Sequence, residues 1–410
     1  MSSAFSRRRF LTGSAAAGAI GAAAVGVGAG TRSQAAAATP ATGASPVAPL
    51  YGAHQGTLLL SPAAATAVVA FDVTATTRGE LVELMQTLTE RARLLTQGEP
   101  LEPSNPSSPP ADNGLLGPTV APHQLGMTVA VGASLFDRRF GLTSRRPTGL
   151  VPMKTFPNDN LDPAQTHGDL TLQLTAASAD IVVHALRDIT KYTRGWMQPR
   201  WRIDGFSSPP RPDGKPRNLF GFNDGISNPV VTNPRVAEDL IWVTGSGEQA
   251  WATGGTFQVI RIIRQLVEFW DRVSLQEQEL MIGRRRANGA ALDANSAGTA
   301  PNYRDDPQGL VIPLSAHIRL ANPRTPATAS SRILRRGWNY DRGLDVNGNL
   351  DQGMLFTCYQ RSLQRQFEAT QKRLIGEPMV DYVSPIGGGY FFVLPGLADR
   401  SDFYARGLLT

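Results

Sequence analysis

Cysteine and histidine are scarce in this sequence, which has one cysteine and five histidines among its 410 residues. With Cys358 alone, one chain can form no internal disulfide, no thiolate metal cluster and no Cys-x-x-Cys-His attachment of a covalent haem. The histidines form neither His-x-His nor His-Glu-x-x-His, which argues against a zinc site and against a multicopper oxidase. A Gly-x-Ser-x-Gly motif is also missing, which argues against a serine hydrolase.

Most of the excess positive charge lies in the N-terminal forty residues. The formal net charge is +6, and the first forty residues hold four arginines and no acid, so the remainder carries about +2. No basic stripe with interleaved aromatic residues follows, and we expect no nucleic-acid partner. The run Arg284–Arg286 is interpreted as a solvated helix end or loop. The 41% hydrophobic content is typical of a globular chain with a sizeable core.

The N-terminus carries a targeting pattern. Ser6–Leu11 reads Ser-Arg-Arg-Arg-Phe-Leu, and a mildly apolar Ala/Gly stretch and small residues suited to cleavage follow it. The pattern predicts a twin-arginine signal peptide over residues 1–38, the twin-arginine translocase as a partner during export, and a periplasmic or extracellular mature protein without a permanent membrane anchor. A disordered Ala/Gly tail is the alternative, but it does not explain the arginine pair.

The first half of the chain alternates strand and helix signals. A buried strand is predicted over Ala67–Val73, and the capping box Thr77–Glu80 then opens a helix. Strands over Met127–Val131 and Leu170–Leu174 precede a helix over Ala179–Tyr192. With a closing strand, this is the order of a ferredoxin-like domain.

The second half repeats the order. A strand over Gly255–Ile263 leads to a helix with the capping box Ser274–Glu277 and with Gly283 at its C-cap. The later predictions are a strand over Gly309–Leu314, an extended segment over Gly353–Cys358, a helix over Leu363–Leu374 closed by Gly376, and a strand over Gly387–Pro395. Together the halves predict an α+β protein of two ferredoxin-like domains, residues 52–216 and 217–405, divided at a proline-rich segment.

Two segments are candidates for chemistry. Gly221–Pro229 reads Gly-Phe-Asn-Asp-Gly-Ile-Ser-Asn-Pro and is compatible with either a plain turn or a loop that brings Asp224 close to a ligand. His317 follows an apolar run and precedes an Asn-Pro break, where a strand end can present one imidazole to a pocket. One axial histidine is enough to hold haem iron.

These segments carry a resemblance to a known family. Gly221–Gly225 resembles the Gly-x-x-Asp-Gly signature of the dye-decolourising peroxidases. The segment from His317 to Arg324 is similar to their proximal-histidine segment, and Ile333–Tyr340 is similar to the segment of their distal arginine. Gly387–Phe392 resembles their closing strand, and twin-arginine export fits the secreted, deferrochelatase-like branch.

The resemblance implies a haem b peroxidase, with one non-covalent haem per chain held in the C-terminal domain. It would reduce hydrogen peroxide and oxidise bulky, dye-like organic substrates through a ferryl intermediate. His317 would be the iron ligand, Asp224 the distal acid and Arg335 the distal cation, with Arg336 as the alternative. The remaining cofactor-binding residues expected are Arg319, Asn322 and Arg324. Leu355 and Phe356 are candidates for the distal wall, with core packing as the alternative. Asp381 is the candidate acidic partner of the proximal imidazole, with a strand-end turn as the alternative.

Elementary chemistry agrees with these roles. Splitting hydrogen peroxide requires a proton to move between its oxygens, which a carboxylate can relay, and a fixed guanidinium can stabilise the departing hydroxide. Two other functions use the same pocket: a deferrochelatase-type extraction of iron from haem, and a non-enzymatic haem carrier. A carrier has no use for Asp224 beside Arg335. The sequence is compatible with an oligomer and does not specify one.

Overall fold

The structure is a computed structural model that describes residues 49–97, 105–117, 125–209 and 216–410. The predicted signal peptide lies outside the described residues, as does part of the proline-rich segment between the two halves. The first half contains β1 (Ala65–Val73), α1 (Arg78–Gln97), β2 (Gly126–Gly132), β3 (Leu170–Ala176), α2 (Ala179–Thr193) and β4 (Met197–Phe206). All the strands and helices predicted there are present, including the closing strand.

The second half is richer in short helices. In chain order it contains α3 (Pro234–Leu240), β5 (Thr256–Gln265), α4 (Val267–Trp270), α5 (Leu275–Ile282), α6 (His317–Ala321), β6 (Leu334–Leu344), β7 (Leu350–Gln360), α7 (Ala369–Leu374), β8 (Val383–Val393) and α8 (Arg406–Leu409). A π-helical segment, Leu363–Glu368, runs directly into α7. None of the described helices has the length and apolarity needed to span a membrane.

Local signals determine where the main helices begin and end. The Glu80 N–H donates to Thr77 Oγ1 at 3.1 Å, and the Thr77 N–H donates back to Glu80 Oε2 at 3.3 Å, which confirms the predicted capping box. Ser274 and Glu277 form the same box at the start of α5. That helix ends at Gly283, whose φ of +88° favours glycine because a Cβ would be strained there.

The strands of each half lie in the order of a ferredoxin-like sheet. The first sheet runs β4-β1-β3-β2 and the second β8-β5-β7-β6, and all their pairings are antiparallel. Pairing of β2 with β8 and of β4 with β6 closes the two sheets into one barrel. The predicted fold class, two ferredoxin-like α+β domains, is therefore confirmed, whereas the division at residue 216 stays a prediction.

Side chains alternate between the barrel interior and its outer faces. The interior is an apolar cluster to which nearly every strand contributes, for example Val68, Ile260, Trp338, Leu355 and Phe391. The outer face of the first sheet packs against α1 and α2 in a second, larger cluster. Part of the outer face of the second sheet, including Val259 and Cys358, joins that cluster, and the rest borders the site described below.

One predicted strand is wrong, and one strand is missing from the sequence prediction. Gly309–Leu314 is an irregular loop, with Leu310 87% exposed, because Asp306 accepts hydrogen bonds from the backbone N–H groups of Leu310, Val311 and Ile312. His317 consequently starts helix α6 and does not end a strand. Strand β6 was not predicted, although its residues were noted for their arginines.

Candidate active site

A cavity of about 290 Å³ lies against the outer face of the second sheet. Its walls come from the loop around Asp224, from strands β5, β6 and β7, and from helices α6 and α7. Asp224, Arg335 and His317 all line it. The structure thus brings together three residues that are far apart in the sequence and for which the sequence analysis predicts a single shared site.

The loop that carries Asp224 is anchored by aromatic packing. Phe220 stacks on Trp270 with ring centroids 4.4 Å apart, and Phe222 meets the same indole edge-on at 6.3 Å. Gly221 and Gly225 have φ values of +83° and +74°, so both flanking glycines adopt the left-handed conformation that the sequence suggested. The loop therefore turns sharply on both sides of Asp224 and presents its carboxylate to the cavity.

Asp224 and Arg335 form an ion pair between Oδ1 and Nη2, with side chains 16% and 30% exposed. Asn228 docks the loop onto β6, since its Nδ2 donates to Arg335 O at 2.8 Å and its Oδ1 accepts from Arg335 N at 2.9 Å. Gly337 leaves room for the acid, because a Cβ there would lie 2.7 Å from Asp224 Oδ2. Sequence reasoning missed Asn228, although it lies in the same motif as Asp224.

On the proximal side, His317 is the first residue of α6. Its Nδ1 lies 2.6 Å from Glu377 Oε2, and the two side chains are 28% and 8% exposed. The prediction of Asp381 as the acidic partner is wrong: Asp381 is exposed, does not line the cavity and closes a short 3₁₀ turn that begins just after Glu377. The partner is an acid four residues earlier in the chain.

The other predicted cofactor-binding residues divide into two groups. Asn322, Arg324 and Phe356 line the cavity. Arg319 does not line it, because its guanidinium donates to Asp306 Oδ2 at 3.2 Å and to Ile312 O at 2.8 Å, which holds the start of α6 against the preceding loop.

Strand alternation removes Arg336 and Leu355 from the site. Both point into the barrel: Leu355 belongs to the interior cluster, and Arg336 Nη2 donates to Leu58 O at 3.4 Å. Arg336 follows Arg335 and Leu355 precedes Phe356, and Arg335 and Phe356 line the cavity. Because successive side chains of a strand point to opposite faces of the sheet, the neighbouring residues Arg336 and Leu355 point away from the cavity. Arg335 is therefore the arginine beside Asp224.

Known proteins match most of the length of this chain. A family model described as Dyp-type peroxidase, N-terminal, matches residues 55–207, and the corresponding C-terminal model matches residues 215–398. A Deferrochelatase from Yersinia pestis bv. Antiqua is 48% identical over 366 residues, which cover 88% of this chain and 84% of the relative. A Deferrochelatase from Escherichia coli K12 is 47% identical over 367 residues, covering 88% and 87%.

The chain belongs to the Dyp-type peroxidase family. It is similar to a DyP-type peroxidase structure from Cellulomonas bogoriensis, with 34% identity, a TM-score of 0.79 and coverage of 89% of this chain and 98% of the other. Ferric DtpA from Streptomyces lividans gives 31% identity, a TM-score of 0.80 and coverage of 89% and 97%. The Dyp-type family, its deferrochelatase-like branch and a haem peroxidase activity are thus confirmed, with haem as the cofactor and with hydrogen peroxide and a reducing substrate as reactants.

The cavity of this peroxidase fits a haem by the chemistry of its donors. It offers one imidazole, and no group of three or more His, Cys, Asp or Glu residues within the described ranges could hold a metal ion without a macrocycle. Because Glu377 engages Nδ1 of His317, Nε2 is the nitrogen left for iron. Ile226, Ile263 and Phe356 supply apolar surface for a porphyrin.

Proposed function

We propose that the protein is an exported peroxidase that holds one non-covalent haem b in this cavity, with His317 as the axial ligand. One observation carries the proposal: His317 and the Asp224–Arg335 ion pair line a single cavity. An iron ligand and a proton-transfer pair are thereby available to the same bound group. Hydrogen peroxide would be the oxidant, and bulky organic molecules would be the reducing substrates.

When bound, haem would supply the redox chemistry of its iron. Asp224 would accept the proton from one peroxide oxygen and return it to the other, which converts the departing hydroxide into water. Arg335 would orient the carboxylate and stabilise the negative charge that develops on the leaving oxygen. Asn228 would keep loop and strand in register, so that the pair acts as a unit.

His317 would be held by its hydrogen bond to Glu377. A buried carboxylate on Nδ1 fixes the tautomer and the orientation of the ring and makes Nε2 a stronger donor. The short helix α6 begins at His317, and Arg319 ties this helix to Asp306. These contacts would restrict the imidazole before a haem enters.

Extraction of iron from haem is the second candidate, because relatives at 47% and 48% identity are named Deferrochelatase. The same cavity would then hold haem as a substrate. Purified protein should be assayed in parallel for peroxide-dependent oxidation of a dye and for release of protoporphyrin. Dye oxidation that becomes slower in Asp224→Asn supports a peroxidase. Release of protoporphyrin without dye oxidation supports iron extraction. A protein that binds haem but shows neither activity would be a haem carrier.

Export would follow from the twin-arginine pattern ahead of residue 38. We propose that the folded, haem-loaded protein crosses the membrane and that the mature chain begins near that residue. Mass spectrometry of the exported protein tests the cleavage site and the non-covalent attachment of haem, with a mature N-terminus near residue 38 and no covalent haem adduct as the expected result. An exported chain that retains Ser6–Leu11, or one that carries a covalent haem, would contradict them.

A further inference from the structure

Helix α6 depends on contacts with the rest of the chain. It has only five residues, His317–Ala321, and none of them is buried. So short a helix is unstable by itself, because its few hydrogen bonds do not offset the entropy lost in ordering its backbone. Glu377 and the ion pair of Asp306 with Arg319 hold its first turn. The carbonyl groups of its last turn have no partner inside the helix and need one elsewhere.

Arg373, on α7, provides that partner. Its Nε donates to Leu320 O at 2.9 Å and its Nη2 donates to Ala321 O at 3.0 Å, so one guanidinium caps the last two carbonyl groups of α6. Burial lowers the pKa of Arg373, but an arginine stays protonated in a protein. A cation at a helix C-terminus also offsets the negative end of the helix dipole. Arg373 therefore fixes the end of α6 that lies opposite His317.

The same guanidinium reaches the segment that leads into β6. Its Nη2 also donates to Thr370 Oγ1 at 3.0 Å and to Ser331 Oγ at 3.2 Å, and both of these residues are buried. Ser331 lies just before β6, the strand that carries Arg335. Arg373 thus connects the helix of the proposed iron ligand with the base of the strand that holds the arginine beside Asp224. Its own side chain does not line the cavity, so its influence on a bound group passes through these contacts.

We infer that Arg373 is a positioning residue for His317. The inference rests on the proposed function, because it takes His317 as the iron ligand. Arg373 holds the C-terminal end of α6 and limits the tilt of this helix, while Glu377 orients the imidazole at the other end. Without the guanidinium, α6 would stay attached only through its first turn, and Nε2 of His317 would sample several orientations toward the iron.

Resonance Raman spectroscopy of the ferrous, haem-loaded mature chain tests this inference, because the iron–histidine stretching band depends on the strength and orientation of the bond to Nε2. Arg373→Gln should shift or broaden that band. It should also transfer haem to an excess of apomyoglobin about tenfold faster than the parent, as expected for a residue that orients a metal ligand. Arg373→Lys should change both in the same direction but less, since an ammonium group keeps the charge and lacks the planar fork that bridges two carbonyl groups.

Two controls separate positioning from a general loss of stability. Asp188→Asn breaks the buried pair of Arg91 with Asp188 in the first half of the chain, so it should lower the melting temperature and leave the iron–histidine band unchanged. Lys372→Gln removes the exposed cation next to Arg373 and should change neither the band nor the rate of haem transfer. If circular dichroism shows that Arg373→Gln is unfolded, Arg373→Lys takes its place.

The outcomes that would overturn the inference are specific. One is an iron–histidine band and a transfer rate like those of the parent in the folded variant at position 373. The other is an equal change of the band in Asp188→Asn, which would show that lost stability alone moves it. Failure of the proposed function looks different. In that case the ferrous parent shows no iron–histidine band, or the band persists in His317→Ala.

Discussion

Glu377 Oε2 lies 2.6 Å from His317 Nδ1, and this carboxylate, 8% exposed, is the only acid paired with the imidazole among the described residues. The contact joins the start of α6 to the segment just before the last strand, so two distant parts of the chain orient one imidazole in the cavity. An imidazole that donates to a carboxylate has imidazolate character and stabilises the higher oxidation state of a bound metal.

Replacing Glu377 by Gln should therefore raise the reduction potential of the bound haem and slow the reaction with peroxide by about 10- to 100-fold, while haem is retained. Spectroelectrochemistry and stopped-flow absorbance measure the two effects. Asp381→Asn is the matched control, since Asp381 is exposed and lies outside the cavity. An unchanged potential in Glu377→Gln, or an equal change in Asp381→Asn, would mean that the pairing has no electronic role.

Gly337→Ala should displace the Asp224 carboxylate without changing residue 224 itself. The added Cβ would lie 2.7 Å from Asp224 Oδ2, so the carboxylate must move away from Arg335. We expect normal haem binding and a slower reaction with peroxide, in the same direction as Asp224→Asn. Gly343→Ala is the control, because Gly343 lies in the same strand and an added Cβ there would have no neighbour within 4 Å. Its φ of +82° adds backbone strain, so this control separates strain in the strand from displacement of Asp224. A fully active Gly337→Ala would show that the position of the acid does not limit the reaction.

The two adjacent arginines should behave differently. Arg335→Leu removes the cation beside Asp224 and should slow the reaction with peroxide by about 10²- to 10³-fold, the usual effect of losing one charge-stabilising donor. Arg336→Met should leave that rate nearly unchanged, because its side chain points into the barrel toward Leu58. Stopped-flow absorbance measures these rates, and the melting temperature of each variant shows whether a slower rate reflects a loss of stability. A rate loss larger in Arg336→Met than in Arg335→Leu would reverse the assignment.

The buried pair of Arg261 and Asp159 should contribute to stability. Their side chains are 2% and 0% exposed, so Asp159→Asn leaves an unpaired buried cation and should lower the free energy of unfolding by about 3–5 kcal/mol. Asp204→Asn removes an exposed pair with Arg202, at 2.8 Å, and should cost less than about 1 kcal/mol. Urea unfolding of the two variants compares them, and equal losses would contradict the role assigned to burial.

The sequence predicts those features whose causes are local. The capping boxes at Thr77 and Ser274 need only residues three positions apart, and the glycines around Asp224 meet a local backbone requirement. The strand order was accessible through the ferredoxin-like succession of elements, although closure of the barrel at Phe206 and Asn339 depends on a contact between distant residues.

The wrong predictions concern two questions: which of two adjacent residues points into the cavity, and which residue far away in the chain contacts a given side chain. The prediction includes Arg336 and Leu355 because the sequence does not show which face of strands β6 and β7 points into the barrel. The sequence prediction names Asp381 and misses Glu377, because both acids precede β8 and only the turn between them decides which one reaches His317. The run of three arginines predicts a solvated Arg284, but this residue is buried because it packs against the loop that carries Asp224.

The visible spectrum of the purified protein, recorded before and after one equivalent of hydrogen peroxide, tests the central claim most directly. The parent should show a Soret band that shifts within the mixing time, and His317→Ala should lose most of its haem. His167→Asn is the control, because His167 lies outside the cavity and Asn tolerates its φ of +60°. A Soret band that peroxide does not shift in the parent, or full haem occupancy with an unchanged spectrum in His317→Ala, would contradict a haem peroxidase built on His317.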